Sequence, residues 1–252
     1  MQRRAARIFV AAILAAAPVT SQEKKPLAFE VASIKPSQGN QPVGGIRAMP
    51  GGRRYVATNA TLRLMIQLMY KVTNNQIVGG PSWINTEPWD VNAEAERPMT
   101  LDQLHEMYKT MLADRFGLKF HHETREMAAL VFTVDKSGVK MKRNDSPEPF
   151  DFPIKPDGEG KMVGTHVNME YFCWFVAQRL NLPVADQTGL DGFYDFTLQL
   201  PPPDPDRVRE NGGPDVGDLF AAIREQLGVR VESRKAPVPV MVIDEVKRAG
   251  EN

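Results

Sequence analysis

Two stretches of this chain share one local pattern, and any fold has to accommodate both. Ile77–Ala95 reads IVGGPSWINTEPWDVNAEA, and Asp186–Leu200 reads DQTGLDGFYDFTLQL. In each, a Gly-containing turn leads to an aromatic residue followed by Asp: Trp89-Asp90 in the first, Tyr194-Asp195 in the second. An amphipathic helical pattern stands before each stretch and another after it. That order implies one α+β unit used twice, with a first repeat over residues 28–143, a linker over 144–161 and a second repeat over 162–249.

The spacing between the copies is nearly constant. Thr61-Leu62 and Asn168-Met169 lie 107 residues apart, Trp89-Asp90 and Tyr194-Asp195 lie 105 apart, and Phe116-Gly117 and Leu227-Gly228 lie 111 apart. Offsets that differ by a few residues are what altered loop lengths produce. Within each copy the expected order is strand-helix-strand-strand-helix-strand. Ala28–Lys35 alternates as a first strand, Pro36–Gly52 reads as a loop, and Arg54–Thr58 as a short strand. Thr61 fits an N-cap for a helix carried by Leu62, Met65, Leu68 and Met69. Thr100 and Gln103 form a capping box for a helix ended by Gly117. Leu118–His122 and Ala129–Val134 read as two strands of a hairpin closed by Lys136-Ser137-Gly138.

In the second copy, Met162–Val167 is a strand, and Asn168 caps a helix with Met169, Phe172, Phe175 and Val176 on its apolar face. Phe193–Leu200 is the next strand. After the Pro-rich excursion Pro201–Pro214 come a helix at Asp218–Gln226 and strands at Val229–Glu232 and Pro239–Val246.

The N-terminus reads as a secretory signal peptide. Arg3, Arg4 and Arg7 precede an apolar run from Ile8 to Val19, followed by small residues that place cleavage after Ser21. A run this short does not reach the ~20 residues that span a bilayer, so no transmembrane span is expected after cleavage, and the protein is expected to be periplasmic or secreted. Lys+Arg and Asp+Glu balance at 31 each, which gives no electrostatic case for nucleic acid. Cys173 is the single cysteine. It lies in an apolar helical pattern, so it reads as a small buried hydrophobe and not a reactive thiolate.

Motifs that would fix a chemistry are missing. His121 and His122 point to opposite faces of a strand and cannot easily share a metal. Ser82 lacks the G-x-S-x-G elbow, and no phosphate-cradling G-x-x-x-x-G-K-[ST] loop is present. No catalytic residue, metal or cofactor is assigned. The candidate ligand-binding residues are the aromatics Trp83, Trp89 and Tyr194, which could form a platform, and the carboxylates Asp90, Asp186 and Asp195. Asp90 and Asp195, at matched positions, would meet only if the two copies enclose a cleft. Otherwise Asp186 and Asp195 cap turns through backbone hydrogen bonds.

Five segments resemble a known family: FEVASIKPS (Phe29–Ser37), TLRLMIQLMY (Thr61–Tyr70), VGGPSWINTEPWDV (Val78–Val91), ADRFGLKFHHETREM (Ala113–Met127) and DQTGLDGFYDFTLQL (Asp186–Leu200). The family is an uncharacterised group of exported proteins expanded in soil Acidobacteria. Some of its members look like the same segment attached behind a membrane metallopeptidase of the β-lactam-sensor type, which implies an extracytoplasmic sensing or binding module. This chain carries no H-E-x-x-H of its own. The element order is also similar to the small N-terminal domains of secretins and TonB-dependent receptors, an analogy of fold that does not fix function.

The expectation is therefore an α+β, exported, non-catalytic binding or interaction module whose partner is a small molecule, a glycan or an envelope protein. Two alternatives stand beside it: an envelope hydrolase using carboxylates in a cleft between the repeats, and a structural subunit of an envelope assembly joined through strand edges.

Overall fold

The computed structural model describes residues 26–39, 44–147, 152–158, 161–200 and 216–250. The expected signal segment 1–21 and the whole Pro201–Pro214 excursion lie outside the described residues.

The fold is α+β, with three four-stranded sheets among the described residues. The first half runs β1 (Val31–Pro36), β2 (Gly45–Ala48), β3 (Arg54–Thr61), α1 (Leu62–Met69), β4 (Ile77–Gly79), α2 (Trp83–Thr86), β5 (Pro88–Glu94), α3 (Leu101–Phe116) and β6 (Lys119–Val134). The second half runs β7 (Lys142–Arg143), β8 (Ile154–Pro156), β9 (Lys161–Val167), α4 (Met169–Leu180), β10 (Val184–Asp186), β11 (Tyr194–Gln199), α5 (Val216–Ala222) and β12 (Val229–Glu245), with a π-helical turn at Ile223–Leu227 before β12.

The sheets order as β1-β5-β3-β2, β7-β11-β9-β8 and β10-β6-β12-β4. Adding six to each strand number turns the first order into the second. In the third sheet β6 and β12 run antiparallel along their length, and each half lends a short parallel strand to the other half's long one. Ile77 of β4 sits opposite Met241 of β12, and Val184 of β10 sits opposite Leu130 of β6. Neither half closes its own share of this sheet.

Local chemistry sets the helix ends. The Thr61 hydroxyl accepts the N–H of Leu64 at 3.3 Å, and the Asn168 side chain accepts that of Tyr171 at 2.8 Å. Thr100 and Gln103 cap each other's backbone at 3.2 and 3.0 Å. The chain leaves α3 through Gly117 and reaches β12 through Gly228, both left-handed.

Two cores follow. Leu62, Met65, Ile66, Trp83, Trp89, Tyr108 and Phe116 pack in the first half, while Leu130, Phe132, Phe172, Val176, Tyr194 and Phe196 pack in the second. Among the described residues no helix is long and apolar enough to cross a membrane.

Several expectations are corrected. Leu118–His122 and Ala129–Val134 are not two strands of a hairpin but parts of one strand, β6, and Val229–Glu232 and Pro239–Val246 likewise join in β12. The polar middle of each reads as a break, yet the cross-strand ladder from Lys119↔Glu245 to Val134↔Val229 carries it through. The loop expected at Pro36–Gly52 contains β2, and the stretch at 144–161 contains β8. Phe175 is off the buried face of α4; Cys173 and Ala177 hold that place, and Arg179 stacks on the Phe175 ring at 3.4 Å.

Candidate functional site

The matched aromatic-Asp pairs are joined to their neighbouring strands in the same way. On β3 a bulge between Ala57 and Ala60 holds Asn59 at φ 48°, and the Asp90 carboxylate of β5 accepts its N–H at 2.9 Å. On β9 His166 stands at φ 52°, and the Asp195 carboxylate of β11 accepts its N–H at 2.9 Å. Asp195 also accepts from Asn144 Nδ2 at 2.8 Å. Burial pushes the Asp195 carboxyl up, but the Asn144 amide and the His166 N–H together outweigh it and hold the group below the usual carboxylate range.

The structure does not bring the other sequence candidates into one place. Trp83 and Trp89 are buried in the first core and Tyr194 in the second. Trp89 packs edge-on against Phe116 with ring centres 5.3 Å apart, and Arg248 lies over Trp83 at 5.2 Å. The Tyr194 hydroxyl donates to the Asp191 carbonyl at 2.9 Å. Asp186 forms an exposed turn, accepting from the Thr188 N–H at 2.9 Å and its hydroxyl at 2.7 Å. Among the described residues no group of three or more His, Cys, Asp or Glu side chains is placed to hold a metal ion.

Another set of residues does converge, where α4 of the second half meets the first. Tyr55, Leu68, Lys71, His105, Tyr171 and Trp174 line a cleft of about 60 Å³ with Phe152 at its rim. Tyr55 comes from β3, Leu68 from α1, His105 from α3, and Tyr171 and Trp174 from one turn of α4. The Tyr171 and Trp174 rings are 5.4 Å apart. Lys71 crosses the boundary, with Nζ 3.2 Å from the Glu170 carboxylate and 4.0 Å from that of Asp102. Beside it, the Gln178 amide donates to the Val72 carbonyl at 3.0 Å.

Two ring nitrogens of this cleft's residues are buried without partners: His105 Nδ1 and Trp174 Nε1. His105 Nε2 is 3.0 Å from the Tyr55 hydroxyl. Burial, aided by the Lys71 ammonium, pushes the imidazole down to about 4, against the smaller opposing pull of Asp102 and Glu106. His105 is therefore neutral at pH 7. A buried indole N–H without an acceptor loses roughly 1–3 kcal/mol of hydrogen bonding, a cost that Trp174 bears beside the cleft.

A larger hollow of about 200 Å³ lies between β1 and α3, with Phe29, Glu30, Asp114 and Arg115 in its lining. It is the more open of the two, and none of the buried unpartnered side-chain atoms belongs to its lining. The smaller cleft has the better claim for that reason.

Sequence reasoning passed over the cleft residues. Tyr171 and Trp174, three apart and off the Met169–Phe172–Val176 stripe, were the available signal: a helix with a second aromatic stripe has a second neighbour. No curated protein and no solved structure matches the chain. The family model described as "Protein of unknown function (DUF3738)" matches residues 63–246, from within α1 to just beyond β12, and the chain belongs to that family.

Proposed function

We propose that the protein is an exported, non-catalytic binding module, built from two copies of one α+β motif, that takes a small planar group with a hydrogen-bond acceptor into the cleft between them. The observation that carries the reading is that cleft: aromatic walls from both halves, and two buried ring nitrogens, His105 Nδ1 and Trp174 Nε1, with no partner. Aromatic walls with a few convergent polar atoms are the usual make-up of a small-molecule site. The volume, about 60 Å³, suits a planar group the size of an amide, the tip of a longer ligand, and not a whole ring or glycan. Two carboxylates beside the cleft, Asp102 and Glu170, are both within 4.0 Å of Lys71.

Export is supported by the N-terminal layout of three arginines, an apolar run and small residues ending at Ser21. The resemblance to exported soil-associated proteins of Acidobacteria, some with the same segment behind a membrane metallopeptidase, supports a sensing role outside the cytoplasm. Repeated use of one motif is supported by the shared strand order and by the matched Asp90–Asn59 and Asp195–His166 contacts.

The test is a thermal-shift titration of residues 22–252 with aromatic amides and acylated sugars. A probe at 100 times its Kd stabilises the native state by about 2.7 kcal/mol, and Trp174→Phe, which keeps a ring and removes the N–H, should reduce that shift. No shift from any probe at millimolar concentration, or shifts unchanged in Trp174→Phe, would remove the cleft from consideration.

A further inference from the structure

The β6–β12 ribbon has two outer edges, and they differ. β10 bonds to β6 through the Leu130 N–H to the Pro183 carbonyl, and the Gln187 N–H returns to the Phe132 carbonyl. Even-numbered residues of β6 therefore turn their main chain away from β12, and by alternation so do their partners at odd positions of β12. β12 carries proline at two of those outward positions, Pro237 and Pro239. Neither has an N–H to offer, and the Pro239 carbonyl already accepts the Gln76 amide at 3.0 Å. That edge is closed to another strand.

The facing stretch of β6 is open. His122, Thr124 and Glu126 turn outward, are exposed, and among the described residues no strand pairs with them. We propose that two copies of the chain pair here, β6 against β6 in antiparallel register, about a twofold axis at Thr124.

Charge selects that register. With Thr124 opposite its own copy, Glu123 faces Arg125 of the second chain and Arg125 faces Glu123, while His122 faces Glu126. Sliding by two residues one way sets Arg125 against Arg125, and the other way sets Glu123 against Glu123; like charges directly opposite destabilise a sheet. Within one chain Arg125 and Glu123 already pair at 2.7 Å, so the dimer joins two such pairs into one alternating row. Because only one edge of each ribbon is open, the association closes at two chains and does not propagate as a fibre. A single strand edge buries less than the ~1,200 Å² of a standard interface, so the dimer is expected to be weak, half-formed at tens of micromolar on the order-of-magnitude scale of such contacts.

Sedimentation velocity of residues 22–252 from about 5 to 300 μM tests this. The expected result is a monomer–dimer equilibrium that Thr124→Pro abolishes while the circular dichroism spectrum is kept, since the Thr124 N–H makes no bond to β12. Should Thr124→Pro fail to fold, the charges decide: Glu123→Arg and Arg125→Glu should each raise the dimer Kd by about tenfold, and the double exchange should restore it. A wild-type protein that stays monomeric throughout, a folded Thr124→Pro that still dimerises, or charge variants that all behave alike would overturn the proposal.

Discussion

Asp90 and Asn59 are joined across two strands: the carboxylate accepts the backbone N–H of a residue in the left-handed conformation, at 2.9 Å. Asp195 does the same for His166 at 2.9 Å. A carboxylate that satisfies a backbone donor in a bulge fixes where β3 and β9 bend into the helices that follow them. Asp90→Ala and Asp195→Ala should each lower the unfolding free energy by about 1–3 kcal/mol, measured by urea denaturation. The Asn replacements, which keep an acceptor, should lose less. The Asp195 carboxyl is held below its ordinary range, so its contribution is present above the unfolded carboxyl pKa and disappears as pH falls through the folded value. Asp195→Ala should accordingly differ least from wild type in strong acid.

Gly228 and Gly117 occupy equivalent turns at φ 71° and 56° but have different surroundings. A Cβ at Gly228 would sit 2.0 Å from the Gly138 carbonyl oxygen, whereas at Gly117 it would meet the flexible end of Lys247 at 3.1 Å. Gly117→Ala is expected to cost about 1 kcal/mol, the left-handed penalty alone. Gly228→Ala must also move backbone, so a loss above about 3 kcal/mol is expected. Equal midpoints in parallel urea melts would contradict this ordering.

Acid should weaken the protein through His105. Its folded pKa, about 4, lies below the ordinary value of 6.5, so between those two pH values the unfolded chain binds a proton that the native chain refuses. Stability therefore falls as pH drops from 6.5 toward 4, by on the order of 2–3 kcal/mol for this group. His105→Gln, which cannot take up the proton, should show a smaller loss between pH 7 and pH 4.5 than wild type. Parallel losses in the two proteins would exclude His105 as the cause.

Cys173 should be inert in the native state. It is 6% exposed, and burial raises its thiol well above the usual range, with the charges of Asp186 and Glu170 adding to the shift. Modification by an aromatic disulfide reagent should run at least about a thousandfold slower in buffer than in 6 M guanidinium. Rapid labelling without denaturant would show that the second core opens readily.

The sequence made some features legible and hid others for physical reasons. Caps are local, so Thr61, Thr100, Asn168 and Gly117 announced the helix ends within four residues of themselves. β4 and β10 were invisible because each is three residues long and finds its partner far away in the chain, Ile77 on Met241 and Val184 on Leu130. The joining of β6 through Glu123–Glu126 escaped notice because those four residues are polar on both faces of the strand and all exposed. The cleft was obscured in the same way: Tyr55, His105 and Trp174 come from three elements, and no short window of sequence contains two of them.

The exchange of short strands between the halves also sets when folding can finish. On the ribosome, β4 emerges early and then waits for β12, while β6 waits for the same element along its length. Until β12 has been translated, β4 has no partner in the central sheet and β6 has only the three residues of β10. The central sheet therefore stays incomplete from the emergence of β4 until that of β12, and machinery that handles unfolded polypeptides has that interval in which to engage it.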